Sequence, residues 1–172
     1  MSAWQITGCT VADAAALGRN NISAFWEDPT WVLLWPKHIT RDFLIEQAGK
    51  RYARNLLSDR AATRHQKAVD PNTGALVGYA RWILPESHTV DETGQQPAWP
   101  DAQVPPVSSA EEEQFRLLAE SAWWQFDSGM SGIDDKNHAV MDRICAERPY
   151  ISEFCKNDTS HVFAVRLESR LC

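Results

Sequence analysis

The chain has no run of roughly 18 apolar residues, so no segment reads as a membrane-crossing helix. Met1 to Thr10 carries neither a basic cluster nor a long apolar stretch, and no secretory leader is expected. Cysteine is sparse: Cys9, Cys145, Cys155 and Cys172 show no CxxC or CxxxC spacing and read as free thiols. No short-spaced ligand pair exists among the five histidines and these cysteines, so no metal is expected. Positive charge is also in deficit. A net charge of −6 opposes attraction to nucleic acid or anionic lipid, and neither partner is expected. A cytoplasmic location follows by default, with the nucleus as the alternative. His38, His65, His88, His138 and His161 have no nearby serine or cysteine resembling a nucleophile elbow. Glycine is limited to eight positions, and none lies beyond Gly132.

What is present suits one domain: 172 residues, 44% of them hydrophobic, can bury a sizeable core. Trp4 to Cys9 reads as an opening strand. Thr10 and Asp13 form a capping-box start for a helix that buries Ala14, Gly18, Ile22 and Phe25 and ends at Asp28-Pro29. An aromatic segment, Trp31 to Trp35, stops at Pro36. A second helix is expected from about Thr40 to Leu57, with Leu44, Ala48, Tyr52 and Leu56 along one stripe. The period then changes to two. Thr63 to Asp70 reads as a strand, Asp70-Pro71-Asn72-Thr73-Gly74 as a turn, and Ala75 to Leu84 as a second strand. That strand is expected to place Leu76, Gly78, Ala80, Trp82 and Leu84 on one face and Val77, Tyr79, Arg81 and Ile83 on the other. Being apolar on nearly both faces, it is expected mid-sheet.

Residues 85–108 hold five of the nine prolines and read as a long loop. Ser109 with Glu112 suggests a second capping box, opening a helix over about 109–127 with Phe115, Leu118, Ala119, Ala122 and Phe126 on one stripe. Trp123 and Trp124 would project from it in different directions. Gln125 to Gly132 superficially resembles a phosphate loop, but it follows a helix and carries acidic residues, so a turn between helices is the better reading. A further helix is expected over about 134–148, with Met141, Ile144 and Cys145 inward. His161 to Leu167 reads as a last strand.

Two stretches carry a family resemblance. Ala24-Phe25 with Asp28-Pro29 is similar to an "AF-x-x-DP" segment, and Val69-Asp70…Thr73-Gly74…Val77-Gly78-Tyr79-Ala80-Arg81-Trp82 resembles the hairpin of GNAT-superfamily N-acetyltransferases, in the form common in fungi. The resemblance spans roughly residues 3 to 165. It implies an α/β (α+β) fold class, a mostly antiparallel central sheet with helices on both faces, and transfer of acetyl from acetyl-CoA to a small amine. The family holds the cofactor pyrophosphate on a Gln/Arg-x-x-Gly-x-Gly/Ala loop at a helix N-terminus, where free amides need glycine. With no glycine beyond Gly132, the chain is expected to be a single incomplete domain over 1–172, ending before that loop. The alternative is an inactive, truncated domain acting as an interaction module or a degenerate gene product. It would form a homodimer, or take another partner, along the edge of the C-terminal strand.

The resemblance places the acceptor amine against the first two helices and the hairpin, which nominates Phe25, Trp26, Trp31, Tyr79 and Trp82 as substrate-binding residues. Trp35 completes the set of candidate aromatic walls, and core packing is the competing reading of all these rings. No catalytic residue is assigned. Glu168 lies near the family's catalytic region, but its flanks do not match. Glu111, Glu112 and Glu113 read as a dipole-complementing first turn. Arg51, Arg54, Arg60, Arg64 and Lys67 read as a solvated face, with attraction of nucleotide phosphates as the alternative.

Overall fold

The computed structural model describes residues 4–91, 93–127, 129, 135–147, 151–153 and 163–165. Helix and sheet are mixed. The strands are β1 (Gln5–Gly8), β2 (Thr63–Val69), β3 (Leu76–Ile83), β4 (Ile151–Glu153) and β5 (Phe163–Val165). They pair antiparallel in chain order, with β1, β2 and β3 forming the main sheet and the short β4 and β5 extending it. The helices are α1 (Ala14–Phe25), α2 (Arg41–Leu57), α3 (Ser109–Glu120) and α4 (Asp135–Glu147).

Local chemistry accounts for the element ends. The Thr10 amide donates to the Asp13 carboxylate at 2.8 Å, and a single 3-10 turn, Val11–Asp13, leads into α1. Thr40 caps α2 by accepting from the Phe43 amide at 3.3 Å. At the hairpin, Asp70 accepts from the Asn72 amide at 2.9 Å, and Gly74 takes φ +70, the left-handed region open to glycine.

The helices α1 and α2 pack against each other and share one core. Its outer part joins Ile22, Trp31, Leu34, Trp35, Leu44 and Ala48, and its inner part joins Cys9, Leu17, Leu56, Leu57 and Val104. Leu17, Ile22, Leu44 and Leu56 are fully buried, each contributing about 1.5–3 kcal/mol of apolar burial. Tyr79 and Leu76 of β3 pack on the inner part, so α1 and α2 cover that sheet face. Helices on both faces were the expectation. Among the described residues, the opposite face instead receives Ala98 and Trp99 of the 85–104 segment, which bond to Arg64 and pack on Trp82, while Val104 at its end enters the inner core. Proline-rich backbone does what a helix was expected to do.

Other boundaries also differ. β2 and β3 fall out of register at Ala68/Val69, where Ala68 faces Gly78 and Val69 faces Leu76. Val77 is therefore an extra, bulged residue. Strict alternation placed Leu76 opposite in face to Tyr79, whereas the bulge returns Leu76 to the Tyr79 side. β3 does lie mid-sheet, but its residues are half-buried and Val77 is exposed. The second capping box forms one residue earlier than expected. Ser108 accepts from the Glu111 amide at 3.3 Å, and the Glu111 carboxylate accepts from the Ser108 amide at 3.0 Å.

Helix α3 stops at Glu120, not near residue 127. The Trp123 amide donates to Gln47 Oε1 at 3.0 Å, and the Asp127 amide donates to the Leu34 carbonyl at 2.7 Å. These tertiary bonds replace helical ones and lay residues 123–127 across the outer part of that core. α4 matches its expected span within a residue, but Ile144 is exposed instead of inward and Met141 is half-buried. β4 had no sequence expectation, and the expected strand at 161–167 is described only over β5. Glu168 and Cys172 lie outside the described residues, as do Ser128 and residues 130–132 of the phosphate-loop-like stretch.

Candidate functional site

Four groupings of side chains have the chemistry to hold a ligand. The first is an aromatic wall built where α1, the 3-10 turn Trp31–Leu34 and the segment after α3 meet. Phe25 stacks on Trp31 at 6.0 Å between centroids, Trp26 meets Trp31 edge-on at 6.4 Å, and Trp31 lies 5.3 Å from Trp35. Trp35 also contacts Trp124 edge-on at 4.9 Å, Phe126 at 5.1 Å and Trp123 at 6.4 Å. Trp123 and Trp124 thus both pack inward, contrary to the expectation that they diverge from a helix. The Arg51 guanidinium sits 4.1 Å from the Trp124 ring centroid, so this wall already holds one cation on a ring face.

Of the five nominated residues, Phe25, Trp26 and Trp31 share that wall, while Tyr79 and Trp82 do not. The Tyr79 hydroxyl lies 2.8 Å from His65 Nδ1, on the helix-covered face and edge-on to Tyr52 at 6.1 Å. Trp82 points to the other face, where its indole donates to Gln66 Oε1 at 3.2 Å and its ring meets Trp99 at 6.0 Å. Alternation along β3 forces that separation, since Tyr79 and Trp82 are an odd number of residues apart with no bulge between them.

The second grouping is buried His65 with half-buried Tyr79, a pairing that sequence reasoning missed. Burial, helped by the charges of Arg81 and Arg64, pushes the His65 pKa from 6.5 down to about 3. Its Nε2 is buried without a partner among the described residues. A folded imidazole that stays neutral while the unfolded one protonates makes unfolding bind a proton between those two pKa values. Stability from this residue is therefore full above about pH 6.5 and is lost as pH falls toward about 3. The cumulative loss is expected to be on the order of a few kcal/mol. Urea midpoints measured from pH 7 to 4 should fall in the parent and fall less in His65→Gln. Parallel curves would remove His65 as the titrating group.

Beside this pair, Lys67 donates to Asp13 at 2.6 Å. Burial pushes the Asp13 carboxyl up, but bonds from Lys67 and Thr10 outweigh it and hold the group below its usual range. Cys9, fully buried, has its thiol pushed up to about 12, first by burial and then by Asp13. A thiol so rarely ionised is a poor nucleophile. Cys9 should resist iodoacetamide at pH 8 in the folded protein and react on denaturation, as read by peptide mass spectrometry. Labelling at equal rates in both states would contradict its burial.

The third grouping is an open cleft of about 380 Å³ between the end of α2 and the start of α3. Arg54, Leu57, Ser58, Ser109, Glu112, Glu113 and Arg116 line it. Its charges are mixed, and Arg116 is already committed to Glu113 and Glu120. The acidic first turn of α3 thus forms one wall of a cleft.

The fourth is the base of the proline-rich strap. Arg64, expected on a solvated face, is fully buried. Its Nε donates to the Ala98 carbonyl at 2.7 Å, and Nη1 reaches the carbonyls of Arg60, Ala61 and Thr63 at 3.1, 3.2 and 2.7 Å. Arg60 Nε donates to the Val104 carbonyl at 2.8 Å, and Gln103 Nε2 donates to the Arg60 carbonyl at 2.7 Å. Arg64 lies opposite Trp82 only because of the bulge at Val77; pairing counted back from Val69 and Leu76 sets it opposite Arg81, so the sequence carries no signal for this placement. Among the described residues no group of three or more His, Cys, Asp or Glu is placed to hold a metal ion. The chain matches no family model, no curated protein and no solved structure.

Proposed function

We propose that this chain is a domain of the N-acetyltransferase type that receives a small amine at the aromatic wall of Phe25, Trp26, Trp31 and Trp35. The element order carries this reading: a strand, two packed helices on one sheet face, then an antiparallel pair turned at Asp70–Gly74. The wall suits the acceptor, because an ammonium or its alkyl neighbours gain from ring faces, and Arg51 on Trp124 is a resident example. In this reading the amine binds charged, loses a proton to water or a carboxylate, and attacks the thioester carbonyl of acetyl-CoA as the neutral base. The C–S bond breaks, CoA leaves as the thiolate, and the proton lost from nitrogen converts it to the thiol. Acetyl-CoA is the co-substrate, and the location is cytoplasmic. Calorimetry tests the proposal: saturable heat with acetyl-CoA and a rise in melting temperature are expected. No heat and no rise at millimolar acetyl-CoA would overturn it.

A non-catalytic interaction role is the second reading. It is favoured by how fully the rings occupy one another, with Trp31 8% and Trp35 4% exposed, leaving little free aromatic surface. In this reading β5, the last strand in the sheet order, pairs with a second copy. Sedimentation equilibrium separates the two, since a monomer at all concentrations would exclude this role.

A further inference from the structure

We infer that Arg60 and Arg64, at the base of the strap formed by residues 98–104, make an oxyanion site for a carboxylate or phosphate group. Arg64 is fully buried and its Nη2 has no partner among the described residues, although Nε and Nη1 are both committed to backbone carbonyls. The second guanidinium, half-buried Arg60, spends its Nε on Val104 and has no ion pair among the described residues. No described carboxylate lies within ion-pair distance of either arginine, so two neighbouring positive charges stand without a counter-charge. Carbonyl oxygens satisfy donors but neutralise nothing. A planar guanidinium with a free Nη edge is suited to an oxyanion, which supplies both the missing acceptor and the missing negative charge.

The strap gives the site a way to admit its ligand. Residues 98–104 are held to the sheet by Arg64 on Ala98 and Arg60 on Val104, and between these points Trp99 takes φ +52. A bulky residue in the left-handed region is a strained position, held by its surroundings. Displacement there would uncover Arg64 Nη2 without disturbing the strand ladder.

The site is independent of acetyl transfer, so its test uses inorganic phosphate and acetate without any acyl-CoA. Each anion is titrated into the full chain at low ionic strength, with the arginine side-chain NMR signals and Trp fluorescence as readouts. Saturable 1:1 binding that shifts the Arg64 resonance and weakens with added salt is expected. Saturation by phosphate alone assigns a phosphoryl ligand, and saturation by acetate assigns a carboxylate. Arg60→Gln, at a half-exposed position that should fold, is expected to raise Kd at least tenfold. Arg19→Gln, at an exposed position on α1 outside all four groupings, should leave Kd unchanged. Linear, unsaturated shifts would overturn the inference, as would equal affinity in Arg60→Gln, or a crystal from phosphate with only water at Nη2.

Discussion

Replacing Gly18 with leucine is expected to cost roughly 3 kcal/mol or more and to leave the protein largely unfolded in modest urea. Gly18 is the point where α1 meets α2. A Cβ added there would fall 2.8 Å from the Gly49 amide nitrogen, 3.1 Å from Gly49 Cα and 3.2 Å from the Ala48 carbonyl carbon. All three are backbone atoms, so no rotamer change relieves the contact. The helices must separate, and the fully buried Leu17 and Ile22 on one helix then lose contact with Leu44 and Ala48 on the other. The nearby Gly49 is the contrast. Its added Cβ meets nothing closer than Ala15 Cα at 3.8 Å, an ordinary contact. Gly49→Ala should therefore keep the packing and gain up to about 1 kcal/mol of helix propensity. Urea melts of the two variants give opposite signs if the approach is asymmetric. Similar losses in both would show that close approach at Gly18 is not the limiting feature.

Most of the framework was legible because it follows from short-range chemistry. Thr40, the Leu44–Ala48–Leu56 spacing and the Asp70–Gly74 turn each fix a boundary or a face using neighbours within a few residues. Failures occur where a distant group wins. α3 was extended to Phe126 on its apolar period. Gln47, 76 residues from Trp123 and only 4% exposed, instead captures the Trp123 amide and turns the chain out of the helix. The bulge at Val77 likewise depends on how two strands meet, and single-strand alternation contains no information about it.

The candidate site was legible only in part, for the same reason. Phe25, Trp26 and Trp31 lie close in sequence, and the end of α1 brings them together. Tyr79 and Trp82 were joined to them by resemblance, but the pleat of β3 sends those two side chains to opposite sheet faces. Charge and polarity suggest solvent for His65 and Arg64: Arg64 reads as part of a solvated face, with phosphate attraction as the alternative, and His65 as a histidine with no nearby nucleophile. Their burial depends on the tertiary partners Tyr79 and Ala98, 14 and 34 residues away.

Arg64→Met is expected to destabilise the protein by about 3 kcal/mol, and the sign is the informative part. Two terms compete. Removing a buried, unpaired charge relieves a desolvation penalty that can reach several kcal/mol, which favours the variant. Against this, the carbonyls of Ala98, Ala61 and Thr63 lose the donors described above, at about 1–3 kcal/mol for each group left buried and unsatisfied. The Arg60 carbonyl keeps its bond from Gln103, so it contributes less. The strap tips the balance, because Arg60 and Gln103 still pin its 103–104 end, whereas residues 98–99 lose the Arg64 bond that ties them to β2. Loss of the Trp99–Trp82 packing and exposure of the sheet face below should follow. Limited proteolysis should therefore cut Arg64→Met between residues 97 and 104 faster than the parent. Arg64→Lys should resemble Arg64→Met, since one ammonium cannot bridge the strap and the Arg60–Thr63 turn together. Arg116→Met, which breaks only exposed pairs with Glu113 and Glu120, should scarcely move the urea midpoint. An Arg64→Met variant more stable than the parent, with the strap still resistant to protease, would mean that desolvation outweighs the carbonyl bonds and that Arg64 does not clasp the strap.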